Sequence, residues 1–238
     1  MATSLARHIG IIAALPDELR PVARRLGLRL RLLPLSDGLR AAGRPCGRHR
    51  VFALLGGVGP AAAERAARRA LAEGCDLLLS IGFAGALDPG LGPGAVVRLS
   101  AVTDGAGGCW PADGSKDGVL GLTRPAAITD VAAKAELRAA TGAAVVDMET
   151  AGVARAAAAA AVPWRGLRAV SDTAAEALPP FVARCIRPDL GRVLAFDIAV
   201  RGLIDPRLWW PLLRLALRSV RAGRALAAAV AATLEDLP

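Results

Sequence analysis

The stretch Val145-Val146-Asp147-Met148-Glu149-Thr150 decides how this chain is read. A short β-branched run ends in two acids around a methionine, and an alanine-rich helical pattern from Ala151 to Ala161 follows at once. A strand that delivers acids to a helix N-terminus sets them at the carboxyl edge of a parallel sheet, where α/β folds bind ligands. The helix dipole favours the ionised form of an acid there. The plainer reading is structural, with Asp147 capping the helix and Glu149 decorating its first turn. On these six residues the two readings stand level. The rest of the chain separates them.

Upstream, Ile9–Leu15 reads as a buried strand, and Pro16-Asp17-Glu18 opens a helix that stops at Gly27. Residues 28–50 are arginine- and glycine-rich and read as an irregular hairpin. Val51–Leu55 is a strand running into Gly56-Gly57-Val58-Gly59-Pro60, with a helix from Ala61 to about Glu73. Asp76–Ile81 is a strand ending in Gly82-Phe83-Ala84-Gly85-Ala86, and Val96-Val97 starts another. Residues 104–126 read as loop, Ile128–Ala140 as helix, Ala143–Val146 as the strand quoted above, and Trp164–Val170 as the last strand. Strands alternating with helices argue for a largely parallel or mixed sheet between helical layers.

A chain of 238 residues, 54% hydrophobic, buries one sizeable core, so a single domain over 1–238 is expected, with a helical C-terminal extension from about residue 178. Thirty Lys and Arg against 21 Asp and Glu give a net charge of +9, which suits an anionic partner. The arginines are scattered without interleaved aromatics, which argues against nucleic acid. Four cysteines stand far apart with no CxxC, and the histidines are His8 and His49, so no zinc site is spelled. Free thiols imply a reducing cytoplasm. The apolar run after Arg7 ends at Pro16-Asp17-Glu18 without a small-residue cleavage site, which fits a first strand better than a signal segment.

Three turns carry the chemistry. Gly57-Val58-Gly59-Pro60-Ala61-Ala62 fits GxGxxA between a strand and a helix, which invites a dinucleotide reading and an NAD(P)-binding oxidoreductase. Against it, the fingerprint normally sits in the first βαβ unit, and Asp76 begins its strand instead of ending it. Gly82-Phe83-Ala84-Gly85-Ala86 allows close backbone approach. In Arg168-Ala169-Val170-Ser171-Asp172, strand alternation puts Arg168, Val170 and Asp172 on one face. A carboxyl at such a strand end, desolvated in a cleft, suits a general acid.

In order, the strand leading to Glu18, the GGVGP turn, SIGFAGALDPGLGPGAVV, VVDMETAGVA and LRAVSDTA resemble the purine nucleoside phosphorylase/uridine phosphorylase superfamily. The closest branch is the 5′-methylthioadenosine/S-adenosylhomocysteine nucleosidases, over roughly Ile9 to Ala174. The resemblance implies a three-layer α/β sandwich, a central mixed sheet flanked by helices, and cleavage of a purine N-glycosidic bond. It implies that Asp172 protonates the purine N7, oriented by Ser171, and that Glu18 activates water. Glu149 would bind the ribose hydroxyls braced by Arg168, Met148 would pack beneath the sugar, and Asp147 would lie near base or ribose. Gly82, Phe83 and Ala84 would form the loop against the substrate. Phe83 stands where the family usually has Ser or Thr. The segment before Val145 that supplies a stacking aromatic is shortened, leaving Ile128 as the apolar neighbour of the base. No metal or organic cofactor is implied, phosphate enters only as a co-substrate, and a homodimer is expected.

The C-terminal motifs Leu178-Pro179-Pro180, Arg187-Pro188-Asp189-Leu190-Gly191-Arg192 and Asp205-Pro206 resemble the hopanoid-associated phosphorylases. That branch releases adenine from adenosylhopane, which implies a nucleoside-lipid substrate and peripheral contact with the inner membrane face. A helix from Arg207 sets Arg207, Arg214, Arg218 and Arg221 in one stripe, broadly opposite Trp209, Leu212, Leu213, Ala216 and Val220. The alternatives are a methylthioadenosine/S-adenosylhomocysteine-type nucleosidase, and a non-catalytic relative that only binds nucleosides.

Overall fold

His8–Ala13 forms β1, apolar without alternation because helices cover both faces of the sheet it belongs to. In the computed structural model, residues 6–27, 33–34, 39–114, 116–178, 186–187, 192–193 and 209–237 are described. After β1 come α1 (Pro16–Arg25), β2 (Leu33–Pro34), β3 (Arg40–Cys46), β4 (His49–Leu55), α2 (Pro60–Ala72), β5 (Leu77–Ala86) and β6 (Val96–Thr103). β7 (Cys109–Pro111), β8 (Val119–Thr123), α3 (Val131–Thr141), β9 (Val145–Asp147), α4 (Thr150–Ala159) and β10 (Trp164–Asp172) follow. A two-stranded pair, β11 (Ile186–Arg187) and β12 (Arg192–Val193), precedes the terminal helix α5 (Trp209–Glu235).

The main sheet is mixed and runs β10-β6-β8-β9-β5-β1-β4-β3-β2. A further β10–β5 pairing closes the first five of these strands into a ring. Ala63, Ala66, Ala67 and Ala70 of α2 and Val153, Ala154 and Ala157 of α4 bury against one face of the sheet. Leu19, Val22 and Ala23 of α1 and Ala222, Leu226 and Val230 of α5 bury against the other. This is the three-layer sandwich expected.

Several local expectations change. The hairpin is β3 with β4, so Val51–Leu55 is its second arm and not a strand after it. The supposed loop 104–126 contains β7 and β8, strands of three and five residues set in a glycine-rich stretch. β9 is parallel to β8 but antiparallel to β5, so its acids do not end a purely parallel sheet. Helix α3 starts after Asp130, whose side chain accepts from the Ala133 N–H, and so leaves Ile128 in the loop before it. In β10 the register slips, with Val170 opposite Ala84 but Asp172 opposite Gly85. The extra residue, Ser171, moves Asp172 off the face that Arg168 and Val170 share.

Candidate active site

The ends of β1, β4, β5, β9 and β10 surround a cavity of about 160 Å³. Glu18, Phe83, Ala84, Ile128, Asp147, Met148, Glu149, Ser171 and Asp172 all line it, so most of the residues singled out in the sequence come together. Arg168 and Gly82 do not line it, and act from behind.

Glu18 enters from the first turn of α1. Its Oε2 accepts from the Ala14 and Leu15 N–H groups at 2.9 Å, which caps its own helix. Its Oε1 accepts from the Phe83 N–H at 2.9 Å. A Cβ on Gly82 would stand 2.8 Å from that oxygen, so only glycine lets the carboxylate sit there. Phe83 thus contributes its backbone to the site, while its ring packs into the cluster beneath α1 and α5. Burial raises the Glu18 pKa, against the Phe83 and Leu15 N–H groups, the Arg168 charge and the Ala14 N–H.

Glu149 comes from the turn into α4, and its Oε1 accepts from the Gly59 N–H at 2.9 Å. Gly59, at φ 99°, adopts a conformation that favours glycine. The turn that invited a dinucleotide reading therefore points an N–H at a carboxylate of its own chain. The Glu149 carboxyl is pushed up to about 8, chiefly by burial and then by the charges of Asp147 and Glu18. The Gly59 N–H and the Arg168 charge pull less strongly the other way. The helix-dipole argument for an ionised Glu149 therefore loses, because desolvation and two like charges outweigh it.

Arg168 does not brace Glu149. Its Nε donates to Asp147 Oδ2 at 2.6 Å, and its remaining bonds go to the Ser80 and Leu167 carbonyls and the Ser80 and Thr150 hydroxyls. Those five bonds use all five guanidinium donors. Asp147 also accepts from the Thr123 hydroxyl at 2.6 Å, the Glu149 and Thr150 N–H groups, and the Thr150 hydroxyl. Both groups are buried and saturated. They are a strut that fixes the start of α4 and so aims Glu149; Glu149, and not Asp147, occupies the N-cap position, while Asp147 accepts from the Thr150 N–H from two residues further back.

Asp172 sits against Gly85, where a Cβ would come within 3.0 Å of Oδ2. Its Oδ1 accepts from the Ser171 hydroxyl at 2.7 Å. Its Oδ2 accepts from Lys134 Nζ at 2.5 Å. Lys134 is absent from the sequence reading, because a lysine in an Ala-rich amphipathic helix ordinarily faces water. Among the described residues, no cluster of His, Cys, Asp and Glu is arranged to hold a metal ion.

Solved structures share this architecture. The 5′-methylthioadenosine/S-adenosylhomocysteine nucleosidase of Campylobacter jejuni matches with a TM-score of 0.74 at 19% identity, over 98% of this chain and 100% of that one. A Helicobacter pylori structure of the same kind, with 5′-methylthioadenosine in its active site, matches at 0.75 and 16%, over 98% and 100%. The futalosine hydrolase of Helicobacter pylori matches at 0.74 and 16%, over the same shares. No curated protein matches. Fold, site and family model together define a three-layer α/β enzyme of the nucleosidase or nucleoside phosphorylase kind. The phosphorylase superfamily model matches residues 8–140 and 119–184, and the chain belongs to that superfamily.

Proposed function

We propose that this protein hydrolyses the N-glycosidic bond of a purine nucleoside, with water as the nucleophile. The observation that carries the reading is the meeting of Glu18, Glu149 and Asp172 on one cavity whose described walls include no lysine or arginine. Breaking the bond leaves positive charge on the sugar and negative charge on the base. The Glu18 carboxylate stabilises the first, and a proton from Asp172 to N7 neutralises the second. Glu18, held by three backbone N–H groups, takes the proton of the attacking water. Glu149 meets the ribose hydroxyls, with Met148 beneath the sugar and Ile128 beside the base. A phosphate co-substrate would bring an anion to these acids with no cation among the described wall residues to receive it. The chemistry calls for no metal or organic cofactor.

For the particular substrate we keep adenosylhopane first and methylthioadenosine or S-adenosylhomocysteine second. The cavity is smaller than the ~300–1,000 Å³ usual for small-molecule sites, so the substrate extends beyond it. Leu178, the first residue of the C-terminal motifs, stands on its wall. The remaining motifs of that resemblance, Pro179-Pro180, Pro188 to Gly191 and Asp205-Pro206, lie outside the described residues, as does Arg207. What supports a lipid-linked substrate is α5, which exposes Trp210, Leu213, Leu217 and Val220 at 50–66% of their full surface. Docking of that row on an anionic membrane face belongs to this reading, and so does a homodimer.

The test is adenine release from adenosylhopane and from methylthioadenosine, each with and without phosphate. Phosphate-independent release is expected, and Asp172→Asn should lower turnover by ~10²–10⁴-fold. Release that requires phosphate overturns the hydrolytic reading; near-normal turnover of the variant overturns the assignment of the acid.

A further inference from the structure

Helix α3 turns one residue fully into the protein, and it is a lysine. Lys134 is 0% exposed, whereas its helix neighbours Ala133 and Ala135 are half-buried or exposed. Burying an ammonium is expensive unless every proton finds an acceptor. Here each does. Nζ donates to Asp172 Oδ2 at 2.5 Å, to the Thr173 carbonyl at 2.8 Å and to the Glu176 carbonyl at 2.9 Å. An ammonium has three donors and no acceptor, so nothing is left for a ligand. Lys134 therefore neither binds substrate nor serves as a nucleophile. Whatever it does passes through Asp172.

The carbonyl cradle is itself held in shape. The Glu176 carboxylate accepts from the Thr173 N–H and hydroxyl and from Arg218 of α5, the last at 2.5 Å. A buried cation, a rigid loop and the Ser171 hydroxyl thus fix both oxygens of Asp172 before substrate arrives. So complete a cage exceeds what packing an alanine-rich helix requires.

We propose that Lys134 is the positioning residue of Asp172 and the source of the proton that Asp172 delivers. This rests on the hydrolytic reading above. In the step, the C1′–N9 bond breaks and its electron pair passes into the purine. A Nζ–H proton moves onto the Asp172 carboxylate, and Asp172 passes a proton on to N7. The base leaves neutral, Asp172 ends as it began, and Lys134 ends as an amine that water reprotonates after the base departs. The arrangement lets an ion-paired aspartate act as an acid at neutral pH.

The experiment compares Lys134→Met and Lys134→Gln with the intact protein on two substrates. One is methylthioadenosine or adenosylhopane, whichever the intact protein turns over. The other is 4-nitrophenyl riboside, whose leaving group departs without a proton. For the purine substrate, kcat at neutral pH should fall about 10²-fold with KM little changed, in line with loss of general acid catalysis. Part of that loss should be recovered at lower pH, where solvent supplies the proton. The aryl riboside should be cleaved at near the normal rate. Lys134→Gln keeps two N–H donors and guards against a folding failure of the methionine variant, checked by thermal melting. Equal losses on both substrates without a pH shift would make Lys134 merely structural and overturn the proposal. So would normal purine turnover in both variants while Asp172→Asn is inactive, which would leave the functional reading intact. An intact protein that releases no purine from any nucleoside overturns both.

Discussion

Glu149 shows how far neighbours can move one side chain. With a carboxyl raised from 4.5 to about 8, the folded state holds a proton that the unfolded chain has already lost in between. The folded protein binds more protons over that window, so its stability falls as pH rises from about 4.5 to about 8, by up to about 1.4 kcal/mol per pH unit from this group. Below that range both states are protonated and the contribution is fully present. Denaturant unfolding from pH 5 to 9 should show that decline in the intact protein and a flatter profile in Glu149→Gln. Parallel profiles would mean that Glu149 is ionised in the fold. The same residue scale separates strut from site: Asp147 and Arg168 have no bonding capacity left for a substrate, whereas Glu18 and Glu149 are held on few bonds and open onto the cavity.

Among elements, the contact of α4 with α2 sets the site most directly. Gly152 lies so close to α2 that a Cβ would stand 2.1 Å from the Pro60 carbonyl oxygen and 3.1 Å from the Glu64 nitrogen. These are backbone atoms and cannot swing away. Alanine gains about 1 kcal/mol over glycine in a helix interior, but overpacking of this kind costs about 1–3 kcal/mol or more. The clash decides the sign. Gly152→Ala should lower Tm by several degrees, since about 1 kcal/mol corresponds to roughly 2–4 °C in a chain of this size. It should also lower turnover, because pushing α2 away withdraws the Gly59 N–H from Glu149. An unchanged Tm would show that the two helices are not in backbone contact.

At the scale of the molecule, α5 divides in two. Its later half buries Ala222, Leu226, Val230 and Leu234 with α1 against the sheet. Its earlier half presents Trp210, Leu213, Leu217 and Val220 to solvent, a stripe roughly 80° wide at 100° per residue. The sequence reading set the apolar side broadly opposite the arginines. In the structure the exposed row runs beside Arg214 and Arg221, and Arg218 is spent on Glu176. Arg20, Arg24, Arg25 and Arg224 line an adjacent groove between α1 and α5. No described helix is long and apolar enough to cross a membrane. The intact protein should sediment with anionic vesicles, less so in high salt, and Leu213→Asp/Leu217→Asp should not. If neither sediments, and the substitutions split a dimer seen by ultracentrifugation, the row is covered by a second copy of the chain.

Much of this was legible along the chain. The helix start at Pro16 and stop at Gly27, the buried runs of β1 and β5, and the acids of the VDMET and RAVSD stretches are local signals, written by φ preferences, capping and hydrophobic period. They determined the alternation of strands and helices and placed Glu18, Glu149 and Asp172 at element ends. What each acid does was decided only in three dimensions. Arg168 lies 21 residues from Asp147 and meets it and not Glu149; Gly59 lies 90 residues from Glu149; Lys134 lies 38 residues from Asp172. A bulge of one residue re-aims Asp172, and no periodicity announces it. Burial, proximity of like charge and the count of available donors are properties of packed neighbours. The sequence carries the groups, but their charge states and partners exist only once distant segments exclude water together.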